Sequence, residues 1–372
     1  MAGTAKDRLQ TLLDREAAKR PIRGILASIR SIDGSLETVA AAGFADAATT
    51  VPLTPETPYY LASITKTYTA AVVMQLSREG SLDLDAPIGK YLATELTKGI
   101  HVVADTDHGL TITVEQLLFQ TSGLADYFAG RSGDGPNLEE ELNAANDRAL
   151  TIENIVALVR TQSPRFVPGA GDGRKAHYSD TNYALLGSII ETVTGADVSE
   201  NLEERIFDPL GLTDTFVFDS ARSQPTPAVA WHKDRPLDIP LAMSSFPADG
   251  GVVATLADNV RFIAALFTGE LLAEDELAYM TGRWNRIFFP MQYGGGLMRF
   301  YLPKWMSPFR NPGELIGHSG STGSFAFYSP QYQLVLAGTV NQSDNPARPY
   351  RLMPRLVSLA RTASTRRQRG GL

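Results

Sequence analysis

The chain contains a Ser-x-x-Lys sequence, Ser63-Ile64-Thr65-Lys66, where a segment with helical periodicity begins. Residues three apart on a helix share a face, so the amine of Lys66 can reach the hydroxyl of Ser63 and accept its proton. A serine hydroxyl is a weak nucleophile at neutral pH and needs such a neighbouring base. The spacing therefore predicts covalent catalysis by Ser63, with Lys66 as base or proton relay. In the structural alternative, Ser63 only caps the helix and Lys66 is solvated.

Two further segments carry groups that suit the same chemistry. Tyr178 stands just before a predicted helix, and His318-Ser-Gly-Ser-Thr-Gly323 brings small residues to the start of a predicted strand. A lysine cation beside a tyrosine favours the phenolate, which can act as a base. Small residues let a substrate approach backbone N–H groups, and each such donor to an oxyanion contributes about 2.7 to 4 kcal/mol. As structural alternatives, Tyr178 is a core residue and His318 a hydrogen-bonded histidine.

Composition and absent motifs narrow the classes of function. The 372 residues include 41 acidic and 34 basic side chains, a net charge of -7, which disfavours nucleic acid and anionic membranes as partners. There is no cysteine, and the sequence lacks Gly-x-Ser-x-Gly, Gly-x-x-x-x-Gly-Lys, Gly-x-Gly-x-x-Gly and His-Glu-x-x-His. Nucleotide, zinc and ordinary α/β-hydrolase sites therefore lose support, and we expect no metal or cofactor. The expected partner is a small-molecule ester, amide or peptide.

Charged residues break every apolar stretch near the N-terminus, and no run approaches the roughly 18 apolar residues of a membrane span. We therefore expect no signal peptide and a cytoplasmic protein. A mature secreted or periplasmic form stays open as an alternative, and nothing in the sequence indicates the oligomeric state.

Apolar periodicity predicts an α+β fold. Besides an N-terminal helix, the predicted strands are 24–30, 36–45, 296–302, 323–328 and 333–341, and the predicted helices are 62–78, 113–120, 151–160, 180–194, 198–207, 256–267 and 346–361. We expect residues 1–58 and 195–372 to form one lobe, an antiparallel sheet flanked by the terminal helices. Residues 59–194 would form a mainly helical lobe, with the active site in the cleft between the two.

Five segments occur in an order and spacing that resemble the serine β-lactamase and penicillin-binding-protein superfamily, in particular its class C β-lactamase, DD-peptidase and esterase branch. They are residues 59–66, 118–124, 178–183, 209–216 and 318–323. The resemblance implies a β-lactamase-like fold and a covalent acyl-enzyme. It also implies that Ser63 is the acylated nucleophile, that Lys66 is the base or relay, and that Tyr178 carries a proton to and from the leaving group.

The resemblance implies substrate-binding positions as well. His318-Ser319-Gly320 matches the strand motif that is Lys-Thr-Gly or His-x-Gly in relatives. The backbone N–H groups of Ser63 and Ser321 would then form the oxyanion hole. Asp180 occupies the place of the usual asparagine in Tyr-x-Asn, although it can also be explained as the N-cap of the following helix.

Two departures from the family pattern affect the expected substrate. A carboxylate at Asp180 favours the ammonium form of Lys66 and weakens it as a base, which moves the expected role of base towards Tyr178. An ionised aspartate cannot donate a hydrogen bond to an acyl-amide carbonyl, as in penicillins. At His318, a histidine is mostly neutral at pH 7, whereas lysine is a fixed cation suited to a substrate carboxylate.

The sequence therefore predicts a serine hydrolase of ester or amide bonds, similar to an esterase or a D-amino-acid amidase or peptidase. Four alternatives stay open: a DD-carboxypeptidase, a β-lactamase, an acyltransferase, and a non-catalytic penicillin-binding-like protein.

Overall fold

A large antiparallel sheet joins the two ends of the chain. The computed structural model describes residues 4–302 and 311–370, with side chains up to residue 362. Its strands are β1 (Gly24–Ser31), β2 (Glu37–Gly43), β3 (Tyr59–Tyr60), β4 (Val102–Val103), β5 (Thr106–Asp107), β6 (Phe216–Val217), β7 (Trp231–His232), β8 (Arg235–Pro236), β9 (Val252–Ala254), β10 (Asn285–Phe288), β11 (Met291–Tyr293), β12 (Met298–Tyr301), β13 (Glu314–Ser319), β14 (Ser324–Ser329) and β15 (Leu334–Thr339). Eight of them form one sheet in the order β10-β11-β12-β13-β14-β15-β1-β2.

The helices lie on this sheet and in the middle of the chain. They are α1 (Ala5–Ala17), α2 (Thr65–Arg78), α3 (Thr94–Thr97), α4 (Val114–Leu118), α5 (Leu138–Asn143), α6 (Ile152–Arg160), α7 (Asp180–Thr194), α8 (Val198–Leu202), α9 (Asp208–Leu210), α10 (Pro240–Met243), α11 (Leu256–Phe267), α12 (Glu274–Thr281) and α13 (Arg348–Gly370). Every residue of β14 and β15 is buried, so both faces of the sheet are covered there. The helices that contact these central strands are α11 and α13, and α1 packs beside α13.

Helix α2 is surrounded by other elements, which fits its sequence. Residues 65–76 are all buried, as expected for a helix without a polar face. Tyr68 stacks on Phe262 of α11 with ring centroids 3.5 Å apart. The helix also contacts α7 and α8. Its first turn, which holds Lys66, is therefore fixed from several sides.

The structure confirms the α+β class, the N-terminal hairpin of β1 and β2, and the C-terminal hairpin of β14 and β15. It also confirms that both chain ends share one sheet, because β1 pairs with β15. Helices α7 and α11 have the predicted bounds. The division into lobes at residues 59 and 195 stays a prediction.

Several elements differ from the prediction. The helix predicted for 62–78 begins with a separate 3-10 turn, Ala62–Ile64, and the one predicted for 198–207 ends in a π-helical turn, Glu203–Phe207. Strands β10 and β11 were not predicted, because they are short. The end of β13 was expected only through the strand motif at 318–320, because Gly317 and His318 stand in place of an alternating apolar pattern. None of the helices in the described ranges is long and apolar enough to cross a membrane.

Candidate active site

The turn that carries Ser63 has an unusual backbone. Ala62 has a φ of 48°, in the left-handed region that a residue with a Cβ rarely adopts. Three hydrogen bonds hold the preceding residues. Two of them come from the segment after β13: Ser324 Oγ, at the start of β14, donates to the Leu61 carbonyl at 2.7 Å, and Thr322 Oγ1 donates to the Tyr60 carbonyl at 3.2 Å. The third is the 2.9 Å bond from the N–H of Leu61 to Val252. Such strain at a defined position is typical of functional sites.

Lys66 makes the contact that the Ser-x-x-Lys spacing predicted. Its side chain is fully buried, and Nζ lies 3.0 Å from Ser63 Oγ. Nζ also donates to the backbone oxygen of Asp249 at 2.7 Å and forms an ion pair with the carboxylate of Asp180. These oxygen contacts suit an ammonium group, which carries three donors and no acceptor.

The N-terminal part of α2 also holds the segment that contains Asp249. Thr69 Oγ1 donates to the Ala248 carbonyl at 2.6 Å, and the N–H of Val252 donates to Thr65 Oγ1 at 3.0 Å. Together with the bond from Lys66, three α2 side chains clamp this segment. The backbone of Asp249 is therefore held against the lysine.

A buried polar network places Tyr178 beside the same lysine. The side-chain oxygen of Gln120 accepts a hydrogen bond from the N–H of Ser179 at 2.9 Å. The backbone oxygen of Gln120 accepts one from the N–H of His177 at 3.0 Å. Asn182 donates to Gln120 and accepts from Ser122 Oγ at 2.6 Å. The segment 118–124, one of the five motifs of the resemblance, thus fixes the residues on both sides of Tyr178.

The hydroxyl of Tyr178 is set up as a neutral phenol. Burial, and then the negative charge of Asp180, raise its pKa well above the ordinary value of 10, while the hydroxyl of Ser63 has a smaller, lowering effect. The Nζ of Lys66 lies over the tyrosine ring, 5.3 Å from its centroid. Burial and Asp180 dominate these effects, which is evidence against the predicted phenolate of Tyr178, and the roles of Lys66 and Tyr178 stay predictions. The tyrosine is better suited to donate a proton than to accept one.

Asp180 does not cap the helix that it begins. The N-cap is Ser179, and Asp180 is the first helical residue, with its carboxylate turned to Lys66. Its own N–H donates to Asp126 Oδ1 at 3.0 Å. The capping explanation is therefore wrong, and the ion pair expected from the Tyr-x-Asp sequence is present.

Gly320 lets the turn after β13 approach the turn that carries Ser63. A Cβ at this position would lie 2.2 Å from Ser324 Oγ and 2.4 Å from the Leu61 oxygen, both closer than atoms can pack. Ser321 follows directly; it is exposed, and its N–H has no hydrogen-bond partner among the residues that the structure describes. Ser63 and Ser321 line the same cavity. This placement supports the oxyanion hole formed by their N–H groups, which stays a prediction.

His318 lies behind the cavity wall. Its ring is fully buried, Nδ1 lies 2.8 Å from the Ser319 carbonyl oxygen, and Nε2 lies 3.4 Å from the hydroxyl of Tyr293. Burial, and then the charge of Lys66, lower the pKa of His318 to about 3, so the ring is neutral, as expected. It is not among the residues that line the cavity, which is evidence against direct contact with substrate.

Sequence reasoning did not single out four ionisable residues of the site: Asp126, Tyr127, Glu139 and Asp249. The hydroxyl of Tyr127 donates to Asp249 Oδ2 at 2.6 Å. Asp126 accepts from the N–H groups of Phe128 and Ala129, each at 3.2 Å. Burial is the main cause that raises the pKa of Asp126 to about 8 and that of Asp249 to about 7. A single signal was available in the sequence, the Gly250-Gly251 pair after Asp249, which is typical of close backbone approach.

These residues face a cavity of about 500 Å³. Ser63, Tyr178, Gly320 and Ser321 lie in its wall with four acidic residues and a large apolar surface, whose members include Phe128, Phe246, Phe288, Phe289, Met291 and Phe300. The tip of the β10–β11 hairpin contributes Phe288 and Phe289. Across the described part of the chain, no lysine, arginine or histidine lines this cavity.

Solved structures with the same fold come from several bacteria and an archaeon. A D-stereospecific amidohydrolase from Streptomyces is 30% identical, with 91% of this chain and 95% of that chain covered and a TM-score of 0.71. The D-amino acid amidase from Ochrobactrum anthropi SV3 is 26% identical over 95% and 98% of the two chains, with a TM-score of 0.73. An octameric penicillin-binding protein homologue from Pyrococcus abyssi is 25% identical over 95% and 77%, with a TM-score of 0.73.

Curated relatives match over part of their length. Penicillin-binding protein 4 of Amycolatopsis lactamdurans is 31% identical over 62% of this chain and 56% of its own length. The putative penicillin-binding protein PbpX of Bacillus subtilis is 24% identical over 73% and 60%. The chain therefore spans less than two thirds of these relatives. The family model for Beta-lactamase matches residues 9–360, so the chain belongs to the Beta-lactamase family.

Proposed function

We propose that the protein is a serine hydrolase that cleaves ester or amide bonds through an acyl-enzyme on Ser63. The observation that carries the proposal is the 3.0 Å contact between Lys66 Nζ and Ser63 Oγ at the wall of a cavity. The name of the 30% identical Streptomyces structure, a D-stereospecific amidohydrolase, supports amide substrates.

In the acylation step, Ser63 Oγ attacks the carbonyl carbon while its proton passes to the neutral form of Lys66, the nearest nitrogen base. The N–H groups of Ser63 and Ser321 bind the oxyanion that forms. Tyr178 then donates its phenolic proton to the leaving alcohol or amine as the carbon–heteroatom bond breaks, and Lys66 returns a proton to the tyrosine. The products of this step are the Ser63 ester and the protonated leaving group.

Water then hydrolyses the acyl-enzyme by the same steps in reverse order. It attacks the ester carbonyl, gives up a proton through the same relay, and releases the acid with restoration of the Ser63 hydroxyl. The neutral phenol of Tyr178 supports this division of roles, whereas the ion pair of Lys66 with Asp180 works against the role of the lysine as base. The division assigns the lysine, and not the tyrosine, as the base.

The lining of the cavity favours neutral or cationic substrates over anionic ones. Among the described lining residues there are four carboxylic acids and no basic side chain. Penicillins and peptides that end in D-alanine carry a carboxylate, and the described lining offers it no cationic partner. The proposal therefore places esterase and amidase activity above β-lactamase and DD-carboxypeptidase activity.

A fluorophosphonate probe tests the mechanism. Mass spectrometry should locate the label on Ser63, and a p-nitrophenyl ester should give a burst of one nitrophenol per active site. Ser63→Ala should lose both, while Ser81→Ala, which changes an exposed serine just after α2, should keep both. An unlabelled Ser63 in folded protein, or full activity in Ser63→Ala, would contradict the proposal. Faster turnover of nitrocefin than of every ester and amide would contradict the substrate class.

A further inference from the structure

The carboxyl group of Asp249 is buried close to Lys66 but does not pair with it. The backbone oxygen of Asp249 lies 2.7 Å from Lys66 Nζ. Burial raises the pKa of the Asp249 carboxyl group, and the charge of Lys66 is the next largest influence on it. Within the described part of the chain, however, Lys66 forms its ion pair with Asp180 and not with Asp249. Because buried charges are normally paired, some contact must hold this carboxyl group away from the lysine.

The hydroxyl of Tyr127 makes that contact. It donates to Asp249 Oδ2 at 2.6 Å, and both side chains are buried. Burial, and then the charge of Asp249, raise the pKa of Tyr127 well above 10. The hydroxyl therefore keeps its proton and stays a donor to the carboxyl group.

The side chain of Tyr127 is itself fixed by other parts of the fold. Its N–H donates to Thr181 Oγ1 at 3.0 Å, in the first turn of α7. Its ring packs against those of Phe246 and Phe128, with centroids 6.0 and 6.3 Å away. The position of the hydroxyl is therefore set by α7 and by aromatic packing, and the hydroxyl can impose a position on Asp249.

The main chain at Asp249 is fixed as well, so only side-chain rotation decides where the carboxyl group lies. The N–H groups of the next two residues donate to the Phe246 carbonyl at 2.9 and 2.6 Å, and Lys66 holds the Asp249 carbonyl. The side-chain bonds of an aspartate rotate between a few preferred positions. The hydrogen bond from Tyr127 selects the one in which the carboxyl group lies apart from Nζ.

The contacts around Nζ show why this selection matters. An ammonium group has three donors, and Lys66 Nζ contacts three oxygens: Ser63 Oγ at 3.0 Å, the Asp249 backbone oxygen, and the Asp180 carboxylate. A second carboxylate at Nζ would compete with the neutral hydroxyl of Ser63 for its place. It would also favour the ammonium form and weaken the lysine as a base.

We propose that Tyr127 is a positioning residue whose hydroxyl holds the Asp249 carboxylate away from Lys66, so that the lysine stays in contact with Ser63. This inference rests on the proposed function, since it concerns how Lys66 remains available as the base for acylation of Ser63. In this role Tyr127 exchanges no proton with the substrate.

The rate of acylation of Ser63 by a neutral p-nitrophenyl ester, followed as the burst of nitrophenol, tests the inference. Tyr127→Phe keeps the ring and frees the carboxylate. At about pH 8, where Asp249 with its pKa of about 7 is mostly ionised, this variant should acylate about tenfold more slowly than the wild type. The ester concentration that gives half of the maximal rate should change less than about twofold.

Removal of the charge should reverse the defect. Tyr127→Phe combined with Asp249→Asn should acylate within about twofold of the wild-type rate, because no carboxylate is left to pair with the lysine. Asp249→Asn alone should acylate at least as fast as the wild type, since the backbone contact with Lys66 remains. A role of Tyr127 in packing alone would give no such recovery.

Tyr279→Phe is the matched control. The hydroxyl of Tyr279 also donates to a carboxylate, Glu115 Oε1 at 2.8 Å, but Tyr279 is not among the described residues that line the cavity. This variant should keep the wild-type acylation rate. A crystal structure of Tyr127→Phe adds a readout that does not depend on activity, and it should show the Asp249 carboxylate in contact with Lys66 Nζ.

A normal acylation rate in Tyr127→Phe, a slow rate that Asp249→Asn does not restore, or an unmoved Asp249 carboxylate in the crystal structure would each overturn the inference. Absence of a nitrophenol burst in the wild type would instead overturn the proposed function. In that case, a carboxylate of Asp249 moved onto Lys66 in the Tyr127→Phe crystal structure would still support the positioning role of Tyr127.

Discussion

The hydroxyl of Tyr127 donates a 2.6 Å hydrogen bond to the buried carboxyl group of Asp249, whose backbone oxygen lies 2.7 Å from the Nζ of Lys66. Asp249 thus connects the lysine to a second tyrosine besides Tyr178. The arrangement concentrates carboxyl groups around one cation and has consequences for the dependence of stability and activity on pH.

The first prediction concerns stability. The pKa of Asp249 is about 7 in the folded protein, above its ordinary value of 3.8. Between these values the folded state binds more protons than the unfolded state, so the free energy of unfolding falls as pH rises from about 4 to 7. The melting temperature of Asp249→Asn should therefore fall less over this range than that of the wild type. The melting temperature of the surface variant Asp134→Asn should fall as much as that of the wild type. If the melting temperature of Asp249→Asn also fell as much, the raised pKa of Asp249 would be contradicted.

The second prediction concerns the ion pair between Asp180 and Lys66. Asp180→Asn removes the carboxylate that holds the amine of Lys66 in an ion pair, so the amine is freer to accept the proton of Ser63. The rate of acylation of Ser63 by a neutral ester at pH 7 should rise about tenfold. Asp126→Asn removes a carboxyl group that lies beside Asp180 but makes no ion pair with the lysine, and it should raise this rate less. An unchanged acylation rate in Asp180→Asn would argue against Lys66 as the base.

The third prediction separates the role of Tyr178 from that of a wall residue. Tyr178→Phe removes the proton donor for the leaving group, so amide hydrolysis should fall about 10²- to 10⁴-fold. Hydrolysis of p-nitrophenyl esters should fall much less, because nitrophenolate leaves without a proton. Tyr350→Phe, also in the cavity wall, should keep the ratio of amide to ester activity. Equal losses on both substrates would point to a structural role for Tyr178.

The fourth prediction tests the close approach at Gly320. Gly320→Ala would place a Cβ 2.2 Å from Ser324 Oγ and 2.4 Å from the Leu61 oxygen, which forces the turn that carries Ser321 away from Ser63. We expect a loss of stability of about 1 to 3 kcal/mol and a larger loss of acylation rate, measured by urea unfolding and by probe labelling. Gly135→Ala has open space around it and should change neither. Normal labelling in Gly320→Ala would contradict this placement.

Local patterns in the sequence predicted the features that depend on interactions between neighbouring residues of the chain. Helix α7 was predicted with its observed bounds, because apolar residues at helical spacing run to Gly195, a residue suited to the left-handed C-terminal position. The contact of Lys66 with Ser63 follows in the same way from the geometry of one helical turn. By contrast, β10 and β11 are short strands whose pairing depends on the neighbouring β12, and local periodicity did not reveal them.

The sequence by itself indicated the family and the α+β class and predicted Ser63 as the nucleophile with Lys66 beside it, since motif order and periodicity are properties of the chain. Only the tertiary structure decided the ionisation of the buried groups and the set of residues that line the cavity. Whether Tyr178 is a phenol depends on burial and on Asp180, and the acidity of the cavity depends on Asp126, Glu139 and Asp249, which come from separate parts of the chain. Desolvation and electrostatic interaction act through space, so residue types and spacing along the sequence could not reveal them.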